Sequence, residues 1–410
     1  MTVASMLGEI GAIGADATRG GYSRPGYCAV DRELREWFEG HAIRRGLDVE
    51  RDANGIVWAW WRPPGTTGPA IVTGSHLDSV PGGGGYDGPL GVASALAAID
   101  LLKSMALPRP IGIAVFPEEE GSRFGVACLG SRLLTGAIAP ERALALKDAE
   151  GDTFADAAAR DGLDPARMGA DPASLAGIGA FVELHVEQGR GLVDLGHPVA
   201  VASSILGHGR WRVSVDGQGN HAGTTLMQGR RDPVVAAASM ILAIRDLARA
   251  TPDARATVGR LEPVPGGTNV IASRVDFWID LRHPDDLVTA ALVTRVRDLV
   301  DVIALAEGCT ATVREESLSP TVDFDLGLRR QLRAALPDAP ELGTGAGHDA
   351  GVLAGHLPTA MLFVRNPTGV SHSPEELCED ADAEAGAVAL AQVLGDLARA
   401  PLPEPAATPS

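Results

Sequence analysis

The sequence predicts an α/β protein with a central mixed sheet flanked by helices and a ferredoxin-like α+β insertion. Three observations carry that expectation. Short strand-like runs alternate with alanine- and leucine-rich helical stretches through the first part of the chain and again near its end. Runs such as Ile111 to Phe116 are continuously apolar, as a parallel strand buried on both faces requires. Between Arg210 and Glu316 the order becomes β-α-β-β-α-β, the pattern of a separate small unit.

In chain order, the stretch from Met1 to about Asp52 reads as helical. Leu34, Trp37 and Phe38 share a stripe, and Gly46 ends the last helix. Val57 to Trp61 and Ala70 to Gly74 read as strands divided by the turn RPPGTTG. A helix follows from about Leu90 to Lys103, then the strand Ile111 to Phe116. Phe181 to Glu187 is a further strand, and the segment around Ile205 to Gly209 marks a crossing point. The insertion comprises strands Arg210 to Asp216, Ala256 to Leu261, Val275 to Arg282 and Thr310 to Glu316. Its helices run from about Pro233 to Ala250 and Asp286 to Ala306. The chain then returns through a helix (Leu326 to Leu336), a strand (Ala360 to Val364) and an alanine-rich last helix. The domains expected are therefore residues 1–206 with 319–410, and 207–318, with a disordered tail at 401–410.

A chain of 410 residues is too long for one small core, and 45% hydrophobic content suits a soluble globular protein. The net charge of −18 argues against nucleic acid or an anionic membrane as the main partner. Cys28, Cys128, Cys309 and Cys378 are scattered with no CxxC pair, which reads as free thiols in a reducing compartment. The chain starts with no signal-peptide pattern and contains no run near the ~18 apolar residues of a membrane span. The expected location is the cytoplasm.

The chemistry sits in GSHLDSV, GYDGPLG, PEEEGSR, ELHVEQG and GVSHSP. His76 and Asp78 form an H-x-D pair at a strand end, where residues two apart face the same side. A lone histidine after a strand is ordinarily structural. Asp87, eleven residues on in a glycine-rich turn, reverses that balance, because one carboxylate can bind two metals through separate oxygens. Glu118, Glu119 and Glu120 follow an apolar strand, where a ligand and a base can fall on neighbouring residues. His185 and His372 complete roughly three protein ligands for each of two ions. In open α/β sheets the ligand crevice lies at the strand C-termini, where these clusters fall.

Taken in order, GSHLDSVPGGGGYDGPLGV, EEEGSRFG, ELHVEQG, GNHAGTT, RRDP, GTNVI, DLRHPDD, GAGHDAG and GVSHSPEE resemble the peptidase M20 amidohydrolases. Within them they are similar to the branch of N-carbamoyl-L-amino acid hydrolases, allantoate amidohydrolases and β-alanine synthase. The resemblance runs from about Tyr22 to Glu376. It implies a zinc-exopeptidase-like catalytic domain holding two divalent ions, zinc or manganese, with cobalt or nickel also suited. It assigns His76, Asp87, Glu120, His185 and His372 as ligands, with Asp87 bridging. It makes Glu119 the general base and Asp78 the residue that orients His76. The insertion becomes a lid and dimerisation domain, so a homodimer is implied. On it, His221 resembles the residue that stabilises the oxyanion, and Asn269 and Arg282 match substrate-binding positions. An arginine there suits a substrate carboxylate, which its fork binds bidentately. Gln188 matches a position that contacts the ureido group, and His348 is expected near the site.

Leu226 stands where the family pattern has proline, and PTGVSH replaces a double glycine before His372. Both departures bear on substrate rather than reaction. His208 is read as a local structural variant. The expected activity is hydrolysis of the ureido C–N bond of allantoate or an N-carbamoyl-L-amino acid, releasing ammonia and carbon dioxide. A small N-acyl amino acid such as N-formylglutamate would meet the same requirements. A peptidase is a nearby alternative that EEEGSR and GAGHDA count against, and a binding module without catalysis is disfavoured by Glu119.

Overall fold

The continuous apolar runs form the middle of a mixed sheet. The strands of the computed structural model, which describes residues 1–402, are in chain order β1 (Asp48–Arg51), β2 (Val57–Trp61), β3 (Ala70–His76), β4 (Ile111–Phe116), β5 (Ile178–Val186), β6 (Val199–Ile205), β7 (Gly207–Asp216), β8 (Asn220–His221), β9 (Arg255–Val264), β10 (Val270–Ile271), β11 (Arg274–His283), β12 (Thr310–Ser319), β13 (Val322–Asp323), β14 (Glu341–Thr344) and β15 (Thr359–Val364). Two compact units result: Met1–Ser204 with the chain from Asp323 onward, and Ile205–Val322.

In the first unit the sheet order is β1-β2-β4-β3-β5-β15-β6, with the short β13 and β14 each on β6. The inner strands β4, β3, β5 and β15 are parallel, whereas β2, β1 and β6 join antiparallel. This is the expected α/β class with a mixed central sheet. Every residue of β3, β4 and β15 is buried, which explains their unbroken apolar composition. Gly74 in β3 is required by close packing, since a Cβ there would collide with the carbonyl oxygen of Ala114.

Helices Val3–Glu9, Pro89–Leu102 and Asp380–Arg399 pack into the main core with these strands. Pro89 at the first turn opens the second of them, and only Asp100 and Leu101 of that helix escape burial. A helix buried on nearly every side has no need of amphipathic patterning.

The N-terminal stretch departs from expectation. It forms two helices, Val3–Glu9 and Ala29–Arg44, and then the strand β1. Gly14, Gly20 and Gly21 between the helices adopt positive φ, which a right-handed helix cannot continue. The tail expected to be disordered starts at Pro401. Leu402 packs against the core, and residues 403–410 lie outside the described residues.

In the second unit the antiparallel order is β12-β7-β11-β9. Helices Pro233–Arg249 and Asp286–Ala306 supply the apolar cover, through residues such as Met240, Ile244, Leu292 and Val296. The chain order is β-α-β-β-α-β, as the hydrophobic pattern predicts. A separate two-stranded ladder joins β8 to β10, pairing His221 with Val270.

Candidate metal centre

The parallel register decides which side chains meet. His76 ends β3 beside Phe116, the last residue of β4, and His185 lies one residue before the end of β5. Glu119 and Glu120 leave the same edge after β4, and His372 follows β15. Four neighbouring strands thus deliver their polar loops to one C-terminal edge.

There the residues gather in two triads, His76–Asp87–His185 and Asp87–Glu120–His372, each with its ligand atoms within 4.8 Å of one another. Asp87 belongs to both. Its Oδ1 lies 3.4 Å from His76 Nε2 and 3.1 Å from His185 Nε2. Its Oδ2 lies 3.4 Å from His372 Nε2, which is 3.3 Å from Glu120 Oε2.

The two buried imidazoles are fixed in one orientation by the backbone. His76 Nδ1 is 3.0 Å from the carbonyl of Asp78, and His185 Nδ1 is 2.9 Å from that of Val186. A carbonyl only accepts, so both Nδ1 atoms carry a proton and both Nε2 atoms are left to face Asp87 Oδ1. Neither Nε2 has a hydrogen-bond partner, although both are buried. A buried polar atom without a partner is costly unless something binds it. Donors around a tetrahedral ion at ~2.0–2.1 Å stand ~3.3 Å apart, which is the spacing seen. The residues therefore fit a divalent cation in each triad. A third grouping, Glu183–His185–His348, shares His185. Glu183 is already engaged there by Ser75 Oγ and the Ala350 N–H, which marks it as support.

The glutamate run divides its work. Glu118, at φ 53°, accepts N–H groups from Gly26, Arg123 and Phe124, so it holds loops. Burial, then Asp78, pushes its carboxyl up to about 7. Glu119 Oε2 lies 3.8 Å from His76 Nε2, and Oε1 accepts from the Cys128 thiol at 3.4 Å. Burial raises its carboxyl well above the ordinary value, reinforced by Asp349, Glu120 and Asp78 and opposed by His76. Burial and the Asp87 charge push Glu120 up to about 8. Crowding of this kind is relieved by a cation.

Asp78 touches His76 twice: its backbone carbonyl accepts the Nδ1–H, and its Oδ1 lies 3.7 Å from the same nitrogen. Its carboxylate also accepts the N–H groups of Glu119 and Glu120 at 3.2 and 3.1 Å. It positions the base and ligand turn as well as the ring. Gln188, expected against a ureido group, donates to Asp87 Oδ2 at 2.9 Å and Ser371 Oγ at 3.0 Å. His348 is buried 4.4 Å from the His185 ring, ring centre to ring centre. Burial and the neighbouring His185 hold it well below its ordinary pKa, so it is neutral. His372 is half-exposed and sits at φ 56°, a strained backbone for a non-glycine residue.

Ser371, Glu376 and Cys128 were not singled out by sequence reasoning. Glu376 stood in the SHSPEE motif, four residues past a ligand candidate, and was the one with a readable signal.

His221, Asn269 and Arg282 lie in the second unit. His221 is exposed, and its Nδ1 accepts N–H groups from Gly223 and Thr224 at 3.1 and 3.3 Å, leaving Nε2 as the N–H donor. The exposed Asn269 stands beside it, its carbonyl accepting the Ala222 N–H. Arg282 is at the far end of β11, with Nε and a terminal nitrogen on Asp280 at 2.6 and 3.0 Å. Across the ladder from it is His208, whose pKa is lowered by burial and by Arg282. Leu226 is 80% exposed, so its departure from proline alters a surface loop rather than a core.

The family model of Peptidase family M20/M25/M40 matches residues 72–396, and the chain belongs to that family. It is 37% identical to an N-carbamoyl-L-amino acid amidohydrolase of Geobacillus stearothermophilus, over 96% of this chain and 97% of that one. It is 36% identical to the allantoate amidohydrolase of Bacillus subtilis (strain 168), over 86% and 87%. Among solved structures, an amidase of the hydantoinase/carbamoylase family from Burkholderia multivorans superposes with a TM-score of 0.86 at 32% identity, covering 98% of both chains.

Proposed function

We propose that this protein is a two-metal amidohydrolase that cleaves the ureido C–N bond of a small N-carbamoyl acid, with N-carbamoyl-L-amino acids and allantoate as the substrates to test first. The observation that carries the reading is the pair of buried, unpartnered Nε2 atoms converging on one oxygen of Asp87, while His372 approaches the other. The two relatives named above bear these two substrates in their names.

His76, Asp87 and His185 would hold one ion, and Asp87, Glu120 and His372 the other. Mixed imidazole and carboxylate donors suit zinc, manganese, cobalt or nickel. When bound, such ions polarise a carbonyl and make a water acidic enough to react near neutral pH. Glu119 takes the proton of the attacking water and passes it to the departing nitrogen. Ammonia leaves, and the remaining carbamate loses carbon dioxide to give the free amine. Asp78 keeps Glu119 in register through its backbone N–H. The Nε2–H of His221 donates to the developing oxyanion, Asn269 lies beside it, and Arg282, pre-oriented by Asp280, takes the substrate carboxylate.

The register of the second unit supports a homodimer. Arg274 and Arg282 lie eight residues apart on β11, roughly 26 Å at strand rise, and the His221 ladder lies beyond the Arg274 end. One copy of this unit cannot bring His221 and Arg282 to one small substrate, so two copies are proposed to share the task. No helix among the described residues is long and apolar enough to cross a membrane. The cysteines are free, which supports a reducing, cytoplasmic location.

The test is turnover after chelation and return of Mn²⁺ or Zn²⁺, read as ammonia release from N-carbamoyl-L-amino acids and allantoate and as release of the free amino acid from N-acyl amino acids. Cleavage of a ureido acid is expected. Turnover of N-acyl compounds alone would overturn the assignment.

A further inference from the structure

Three loops carry the second triad: Asp87 follows β3, Glu120 follows β4 and His372 follows β15. Glu376 joins the first to the last. It is only 5% exposed. Its Oε1 accepts the backbone N–H groups of Tyr86 at 3.1 Å and Asp87 at 2.9 Å. Its Oε2 lies 3.2 Å from Ser371 Oγ, and the same hydroxyl is 3.2 Å from Asp87 Oδ2. A second, independent feature is the glycine run. Gly84 has no positive φ, so alanine is conformationally allowed there, yet a Cβ would overlap the Glu376 carboxylate. The glycine is needed for close approach of this one side chain.

We propose that Glu376 is a positioning residue that assembles the metal centre by pinning the Asp87 backbone to the turn bearing His372. Asp87 offers one oxygen to each triad, so a rotation of this single residue disturbs both. The side chain fixes Asp87 at its N–H, and the single Ser371 O–H lies between the Glu376 and Asp87 carboxylates. Outer partners of metal ligands commonly govern affinity in this way. The inference rests on the reading of Asp87 and His372 as ligands.

The test is calorimetric titration of the chelator-treated full chain with Zn²⁺, with thermal melts to confirm folding. Glu376→Ala should weaken Zn²⁺ binding about 10- to 100-fold. Glu376→Gln should stay within about threefold, because its amide oxygen keeps both backbone bonds and its nitrogen donates to Ser371. Gly84→Ala should reproduce the loss. Wild-type affinity in Glu376→Ala, or in Gly84→Ala, would overturn the proposal. If Glu376→Ala does not fold, Gly84→Ala and Glu376→Gln decide: wild-type binding in the former, or a full loss in the latter, overturns it. Asp87→Ala separates the two readings. If it binds Zn²⁺ normally, the ligand reading fails. If it loses Zn²⁺ while Glu376→Ala does not, only the positioning role fails.

Discussion

The polar residues at the strand edge of the first unit and those of the second unit are built on opposite principles. His76 and His185 are fully buried, with Nδ1 committed to the backbone and Nε2 left without a partner. His221 and Asn269 are exposed, and Arg282 is engaged by Asp280. The first arrangement is costly alone and becomes favourable only when something electrophilic occupies it. The second is comfortable in water. The difference teaches that the candidate metal centre is pre-organised within its own unit, while the polar residues of the second unit are satisfied by water and by one another.

The contrast can be broken most forcefully at Asp87. Asp87→Ala removes the oxygen shared by both triads and should cut turnover by more than about a thousandfold with loss of metal. Residual activity near wild type, in a steady-state ammonia assay, would show that the triads do not act through this residue. Glu119→Gln comes next. It should retain metal by elemental analysis and lose about 10²–10⁴ in kcat, and retained turnover would refute the base. His221→Ala should leave metal content unchanged and lower kcat about 10²–10³. An altered metal content there would blur the division between the units.

Arg282→Ala sharpens the same division from the binding side. Loss of a charge-assisted contact of ~1.5–3 kcal/mol should raise KM roughly 10- to 150-fold with a smaller effect on kcat. The smallest signal, and the most informative about assembly, is a mixing experiment. Co-refolded His221→Ala and Arg282→Ala chains should recover activity that neither has alone, because one site of each mixed dimer keeps both residues. Absence of recovery would place both residues on one chain and contradict the strand register as the basis for dimerisation.

How much of this was legible in the sequence follows from what has a pattern. Ile111–Phe116 and Ala360–Val364 are continuous apolar runs, and they lie in inner strands. The insertion was readable because its elements are long and alternate in helix and strand period. The division of the N-terminal stretch was not, since the glycines that split it lie among residues with acceptable helical propensity. The four-residue β14 is too short to show a period, and the seven-residue β6, flanked by β15 and β13, was not read as a strand. At the centre, the metal-type residues were visible by chemistry and spacing from strand ends. Asp78 turning its carboxylate to the Glu119 and Glu120 backbone, Gln188 turning to Asp87, and Glu376 reaching past Gly84 were not visible. Such contacts join loops distant in sequence and leave no periodic trace.

The central claim is a pair of cations sharing Asp87. Native mass spectrometry of the chelator-treated chain titrated with Zn²⁺ tests it directly. The account predicts two ions per chain in the wild type, one in His372→Ala and neither held tightly in Asp87→Ala. A single ion in the wild type, or two ions retained in Asp87→Ala, would contradict it.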